Sequence, residues 1–310
     1  MTATGIELRL TFDGMRPEQI ERRWAGEVGG LEAYVFDAAE LAEPSGWERF
    51  RRSLRHARRA AGEQLTCHFP TENADWVTDR TAFTTLLRFC HVAAESGAAG
   101  VVLHSNQFVR QEDWRHYDLA DARARVTERL AELDRRLDGA PLWIGVENMP
   151  VIGAEGDDYD AVFVTPADFT PLLQLESPRI GVTWDVCHWA VTCATAASVA
   201  QLQRREPEVT ADDLPVLPIR HIHFGSYRGM AMPFRPEVCH EGVPPQEGDA
   251  AEDLLARMLL RAADAAPTTV GVVLEIQEQD YLARKNCWRT LDWLLSRPDI
   301  AARLGDGGRR

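Results

Sequence analysis

The chain has 310 residues, 45% of them hydrophobic, with 48 acidic against 34 basic side chains and a formal net charge of −14. That balance, with no basic stripe, weighs against a protein whose affinity rests on neutralising nucleic-acid phosphates. No apolar run approaches the roughly eighteen residues of a membrane helix, the N-terminus lacks a signal-peptide pattern, and six cysteines without a CxxC pair are no disulfide framework. A cytoplasmic protein with reduced thiols is therefore expected.

Short runs rich in Val, Ile and Leu recur at 6–12, 31–36, 65–69, 100–104, 142–147, 180–185, 219–224 and 270–275. Helix-like segments lie between them, as at 16–29, 46–62, 81–98 and 121–139, with apolar residues at three- and four-residue spacing among charges. Several end in glycine, as helices tend to. Eight strand–helix units predict an α/β fold, a single-domain (β/α)8 TIM barrel over residues 1–303, followed by a disordered tail at 304–310. A doubly wound open sheet fits less well, because no glycine-rich phosphate loop follows the first strand. The longest interruptions, 148–165, 186–215 and 225–250, read as loops at the barrel mouth, where such folds build their sites.

The strand ends carry the chemistry. Strand three ends in His68, strand four in His104, strand five in Glu147, and strand six in Asp185 with His188 just beyond. Strand seven carries His221 and His223, and strand eight ends in Glu275. Any one of these reads equally well as a cap or turn residue; six consecutive strands ending this way do not. His56, His91 and His116 lie elsewhere and read as ordinary surface or packing residues. Carboxylates crowded at one mouth repel one another unless a cation sits among them. Mixed Asp, Glu and His donors suit zinc, manganese, cobalt or iron better than magnesium.

Aromatic residues also gather near the strand ends: Phe69, Trp76, Phe108, Trp114, Trp184, Trp189, Phe224 and Phe234. They read as rim packing or as a platform for a sugar face. The loop after strand eight, QEQDYLARKN, has no glycine, so nothing marks a phosphorylated substrate, although Arg228, Arg235 or Arg284 could serve one. Cys67 and Cys187 read as packing residues, since no base motif marks either as a nucleophile.

The segments IGVENMP (144–150), GVTWDVCHWA (181–190), RHIHFGS (220–226) and VVLEIQ (272–277), in that order, resemble the xylose isomerase-like barrel superfamily. That superfamily holds sugar isomerases and epimerases, inosose dehydratases and abasic-site nucleases of the endonuclease IV class. The resemblance implies a metal site of Glu147, Asp185, His223 and Glu275, with His221 in support. It matches His68 and His104 to a second metal of the nuclease branch, and His188 to a further ligand or a substrate-binding histidine. His240 falls near a nuclease Asp-x-His pair, but Val238 stands where the Asp belongs, with Glu237 beside it. A second acidic residue of the epimerase branch would fall on Gly153, with Glu155 nearby. The sequence thus matches neither branch in full.

The first functional expectation is a divalent-metal-dependent isomerase or epimerase of a sugar-like small molecule, or a related lyase or dehydratase. Glu147 and Glu275 would transfer the proton, His188 and Arg228 would contact substrate, and Trp184 and Trp189 would wall the pocket. The alternative is a zinc-dependent phosphodiesterase of the endonuclease IV type using His68 and His104. A third is a metal-containing barrel that binds without catalysis. A small-molecule partner is expected, nucleic acid and membrane are not, and the sequence leaves homo-oligomerisation open.

Overall fold

The computed structural model describes residues 4–20, 28–61, 64–151, 159–160, 162–229 and 239–304. Eight parallel strands close into a barrel in sequential order: β1 (Ile6–Asp13), β2 (Gly30–Tyr34), β3 (Leu65–His68), β4 (Gly100–Leu103), β5 (Trp143–Glu147), β6 (Ile180–Asp185), β7 (Ile219–Phe224) and β8 (Val270–Leu274). Each apolar run of the sequence is one of these strands, with ends within two residues. Such strands are packed on both faces, by helices outside and by one another inside, so they read as continuous hydrophobic runs rather than alternating ones. Gly100 shows how tightly they fit. A Cβ there would lie 2.1 Å from the Trp143 ring, which packs 5.3 Å from His221 within the barrel.

The surrounding helices are α1 (Pro44–Ala61), α2 (Arg80–Glu95), α3 (Leu119–Arg136), α4 (Val186–Gln203), α5 (Glu252–Ala265), α6 (Lys285–Leu295) and the short α7 (Pro298–Ala301). Carboxylate caps fix several starts: Asp79 accepts the Thr81 N–H at 2.6 Å and Asp118 accepts that of Asp121 at 3.0 Å. None of the described helices is long and apolar enough to cross a membrane. All six cysteines are free.

Four expectations change. The stretch 186–215 is loop only over 204–215, because α4 starts directly after β6 and runs to Gln203. Its first seven residues, Val186–Thr192, are all buried, so it lacks the alternation of charge and apolar residues that marked the other helices. Within 225–250, Ser226–Arg228 pairs with His240–Val243 as a two-stranded hairpin, while 230–238, with Phe234, Arg235, Glu237 and Val238, lies outside the described residues. Of the helix expected at 16–29, only a turn at Pro17–Gln19 is described; Gly153 and Glu155 also lie outside the described residues. Leu304, assigned to the tail, is 5% exposed and bridges Ile6.

Candidate active site

At the C-terminal mouth the strand-end side chains meet around Glu147, which is 1% exposed. Its Oε2 lies 3.3 Å from His68 Nε2 and 3.3 Å from His104 Nε2. Its Oε1 lies 3.4 Å from His188 Nδ1 and 3.3 Å from His223 Nδ1. His223 Nδ1 is also 2.9 Å from Glu275 Oε2 and 4.0 Å from Asp185 Oδ2. One donor atom each from Glu147, Asp185, His223 and Glu275 therefore falls within 4.8 Å of the others. His68, Glu147 and His223 form a second such set.

Local structure holds these atoms in place. Asp185 caps α4, its Oδ1 accepting the His188 N–H at 2.6 Å, so its other oxygen stays free to face the cluster. Asn148 clasps the Asp185 backbone, accepting its N–H at 2.7 Å and donating to its carbonyl at 3.0 Å. The Asn148 carbonyl also receives His188 Nδ1 at 2.8 Å. The aspartate thus both caps a helix and faces the site, so the two expectations for it are compatible.

Sequence reading missed Glu32. It is 1% exposed on β2, accepts the Thr66 hydroxyl at 2.8 Å and His221 Nε2 at 3.0 Å, and lies 2.9 Å from His223 Nε2. Its signal was a lone charge inside an apolar strand run. Burial opposes its ionisation, but His223 and His221 outweigh burial and hold its carboxyl well below the usual range. A carboxylate on the far ring nitrogen of a ligating histidine fixes the tautomer and leaves the other nitrogen as a donor. Neither ring nitrogen of His223 makes a well-directed hydrogen bond, although the residue is fully buried; the 2.9 Å approach of Nε2 to Glu32 is an ion-pair contact.

Electrostatics supports a cation site. Burial, then the charges of Glu147 and Glu275, push Asp185 up to about 7, with His188 and His223 offsetting only part. Despite its burial, Glu147 is held well below the usual range by His223 and His104. Burial works against charge on His223 and His188, yet their carboxylate neighbours raise both well above the ordinary histidine value. Three carboxylates and one imidazole, its inward nitrogen uncommitted, fit a divalent cation of the zinc, manganese, cobalt or iron group.

The cluster floors a cavity of about 400 Å³. His68, His104, Asp185, His188 and Glu275 line it, and Glu275 is 48% exposed towards it. The rim adds residues not anticipated: Tyr34, Phe36, Met149, Glu241, Gln277 and Tyr281. Trp184 and Trp189 do not line it. Both are fully buried and pack on each other at 5.3 Å between β6 and α4. His240 is exposed; its neighbour Glu241 turns inward, 3.4 Å from His188 Nε2. Arg228 is exposed and bonds the Glu247 carbonyl at 2.9 Å, away from the cavity. Arg284 is fully buried outside the lining. Burial raises the thiols of Cys67 and Cys187 well above their usual value.

Known proteins resemble this architecture. A D-tagatose 3-epimerase-like protein superposes with a TM-score of 0.62 at 15% identity, covering 95% of this chain and 99% of the other. A Thermus thermophilus protein soaked with zinc chloride gives 0.57 at 21% identity over 91% and 96%. The 3-keto-D-glucoside 4-epimerase of E. coli gives 0.57 at 16% over 94% and 100%. At these identities the likeness concerns the fold. No curated protein sequence matches the chain. Residues 27–294 match a family defined over almost the whole barrel, and the chain belongs to that family, the xylose isomerase-like TIM barrels.

Proposed function

We propose that this protein is a divalent-metal-dependent isomerase or epimerase of a sugar or sugar-like small molecule. One observation carries the reading: Glu147, Asp185, His223 and Glu275 bring one donor each to a common point, and Asp185 and Glu275 open from it into the cavity. Those four residues would hold the cation. Bound there, it supplies positive charge that polarises a substrate carbonyl and acidifies the neighbouring C–H bond.

The chain's own groups supply the rest. Glu275 opens to the cavity and accepts the proton from that carbon at its free carboxylate oxygen. Glu147, kept anionic by its histidines, would be the second carboxylate: a proton passed to it from His68, His104 or His188, which line the cavity beside it, would be the one returned at the adjacent atom or on the opposite face. His188, braced between Asn148 and Glu241, contacts a substrate hydroxyl. Loss of a hydroxyl after the same first step gives the lyase variant.

The test is deuterium uptake. Manganese-loaded protein should exchange the hydrogen next to the carbonyl of a sugar in heavy water, read by NMR over a panel of ketoses and aldoses. Glu275→Gln should lose the exchange with an unchanged circular dichroism spectrum. An unaltered exchange rate contradicts the role given to Glu275.

A zinc phosphodiesterase is the second reading, favoured by the convergence of His68 and His104 on one oxygen of Glu147. Against it, the described lining of the cavity contains no arginine or lysine to meet a phosphate. Two or more zinc ions per chain in elemental analysis would favour this reading.

A further inference from the structure

A second cavity of about 480 Å³ adjoins the first and shares Tyr34, Phe36 and Tyr281 with it. The remainder of its wall is Asp13, Arg16, Gln19, Asp37 and Glu40. We propose that this outer cavity is a subsite for a second sugar unit, so that the substrate is a disaccharide or glycoside with its reactive carbonyl unit at the metal cluster. The inference rests on the sugar-isomerase reading of the inner cavity.

Gln19 is the most telling residue. It is only 8% exposed, and its Oε1 is used in accepting the Asp13 N–H at 2.9 Å. Its Nε2 has no partner among the described residues and reaches solvent, which leaves an amide donor open on the wall of the cavity. Such a donor favours a ligand that accepts a hydrogen bond. Acceptors stand beside it. Asp37 spends Oδ1 on the Ala39 N–H and Asn73 Nδ2 but leaves Oδ2 uncommitted among the described residues, and Glu40 is exposed. Donors and acceptors alternating on one wall suit the hydroxyls of a sugar.

The shared residues suit it too. Phe36 is 60% exposed at the junction. Flanked by Tyr34 and Tyr281, it offers aromatic surface to the apolar face of a pyranose. The charge selects against other second units. Asp13, Asp37 and Glu40 outnumber Arg16, which is itself 3.1 Å from Asp13, so a phosphate or carboxylate is disfavoured and a neutral polyhydroxy unit is not.

The test is calorimetric binding to manganese-loaded protein of D-fructose, isomaltulose and lactulose; in both disaccharides the ketose carbonyl is free. At least one disaccharide should bind about tenfold more tightly than D-fructose. Gln19→Ala should weaken that disaccharide by about three- to tenfold, the worth of one neutral hydrogen bond, Glu40→Ala by at least about threefold through its charged acceptor, and both should leave D-fructose unchanged. Glu40 is exposed, so its replacement tests the subsite without endangering the fold. Disaccharides that bind no more tightly than D-fructose, or variants that weaken both sugars equally, overturn the proposal. The isomerase reading fails on a separate result, the absence of carbon-bound exchange in sugars that do bind.

Discussion

Replacing Glu32 by Gln should cut metal affinity about 10- to 100-fold, roughly 1.4–2.7 kcal/mol, although the residue lies one shell of atoms away from the proposed ion. The loss follows from proton positions. Glu32 Oε2 accepts from Thr66 and His221, while Oε1 faces His223 Nε2. A glutamine has one acceptor and one donor where glutamate has two acceptors. With its amide nitrogen towards His223, Nε2 must accept, the ring proton moves to Nδ1, and the nitrogen facing Glu147 and Glu275 can no longer ligate. With the amide reversed, His221 must carry its proton on Nδ1, which is buried without a hydrogen-bond partner, at a cost of about 1–3 kcal/mol. Either orientation is penalised, at the ligand or in the fold. Manganese titration by calorimetry reads the first outcome and thermal unfolding of the metal-free protein reads the second. The visible absorption of a cobalt-loaded sample adds a signature that general destabilisation does not move. Affinity within about twofold of the parent chain, with an unchanged melting temperature, would refute the reasoning.

Asp185→Asn keeps the helix cap but removes a carboxyl whose folded-state value is raised to about 7. A raised acid contributes stability that is full below its unfolded value and lost as pH rises through the folded one. The metal-free variant should therefore gain on the parent as pH climbs from about 4 to 8, by at most about 4 kcal/mol, in urea unfolding at each pH. A gap that does not change with pH would contradict the crowding seen around Asp185. Trp184→Ala should cost about 3–5 kcal/mol of stability and leave turnover per folded molecule unchanged, since the ring lies outside the cavity. Arg228→Ala should leave turnover unchanged for the same reason; a loss in either variant would return that residue to the site.

Most of the barrel was legible because doubly buried strands leave an unbroken apolar trace, and because a barrel brings every strand end to one mouth. That placed His68, His104, Glu147, Asp185, His223 and Glu275 together without coordinates. Two errors came from the alternation along a strand: Trp184 was expected on the same side as Asp185, and His240 rather than Glu241 was expected at the site. Along a strand, neighbours point to opposite sides, so an inward Asp185 sends Trp184 outward, and an inward Glu241 leaves His240 exposed. Glu32 escaped notice for another reason. It sits mid-strand rather than at a strand end, and its value lies in a contact to β7, far away in sequence. The aromatic junction of Tyr34, Phe36 and Tyr281 depends on how the loops after β2 and β8 meet, which no periodicity encodes.

Everything proposed for the inner cavity depends on four strand-end residues forming one cation site. Crystals soaked in zinc and measured with anomalous scattering test it most directly. The expected result is a peak bonded at roughly 2.0–2.2 Å to oxygens of Glu147, Asp185 and Glu275 and to His223 Nδ1. No peak at saturating zinc, or a peak that leaves these four residues unligated, would contradict it.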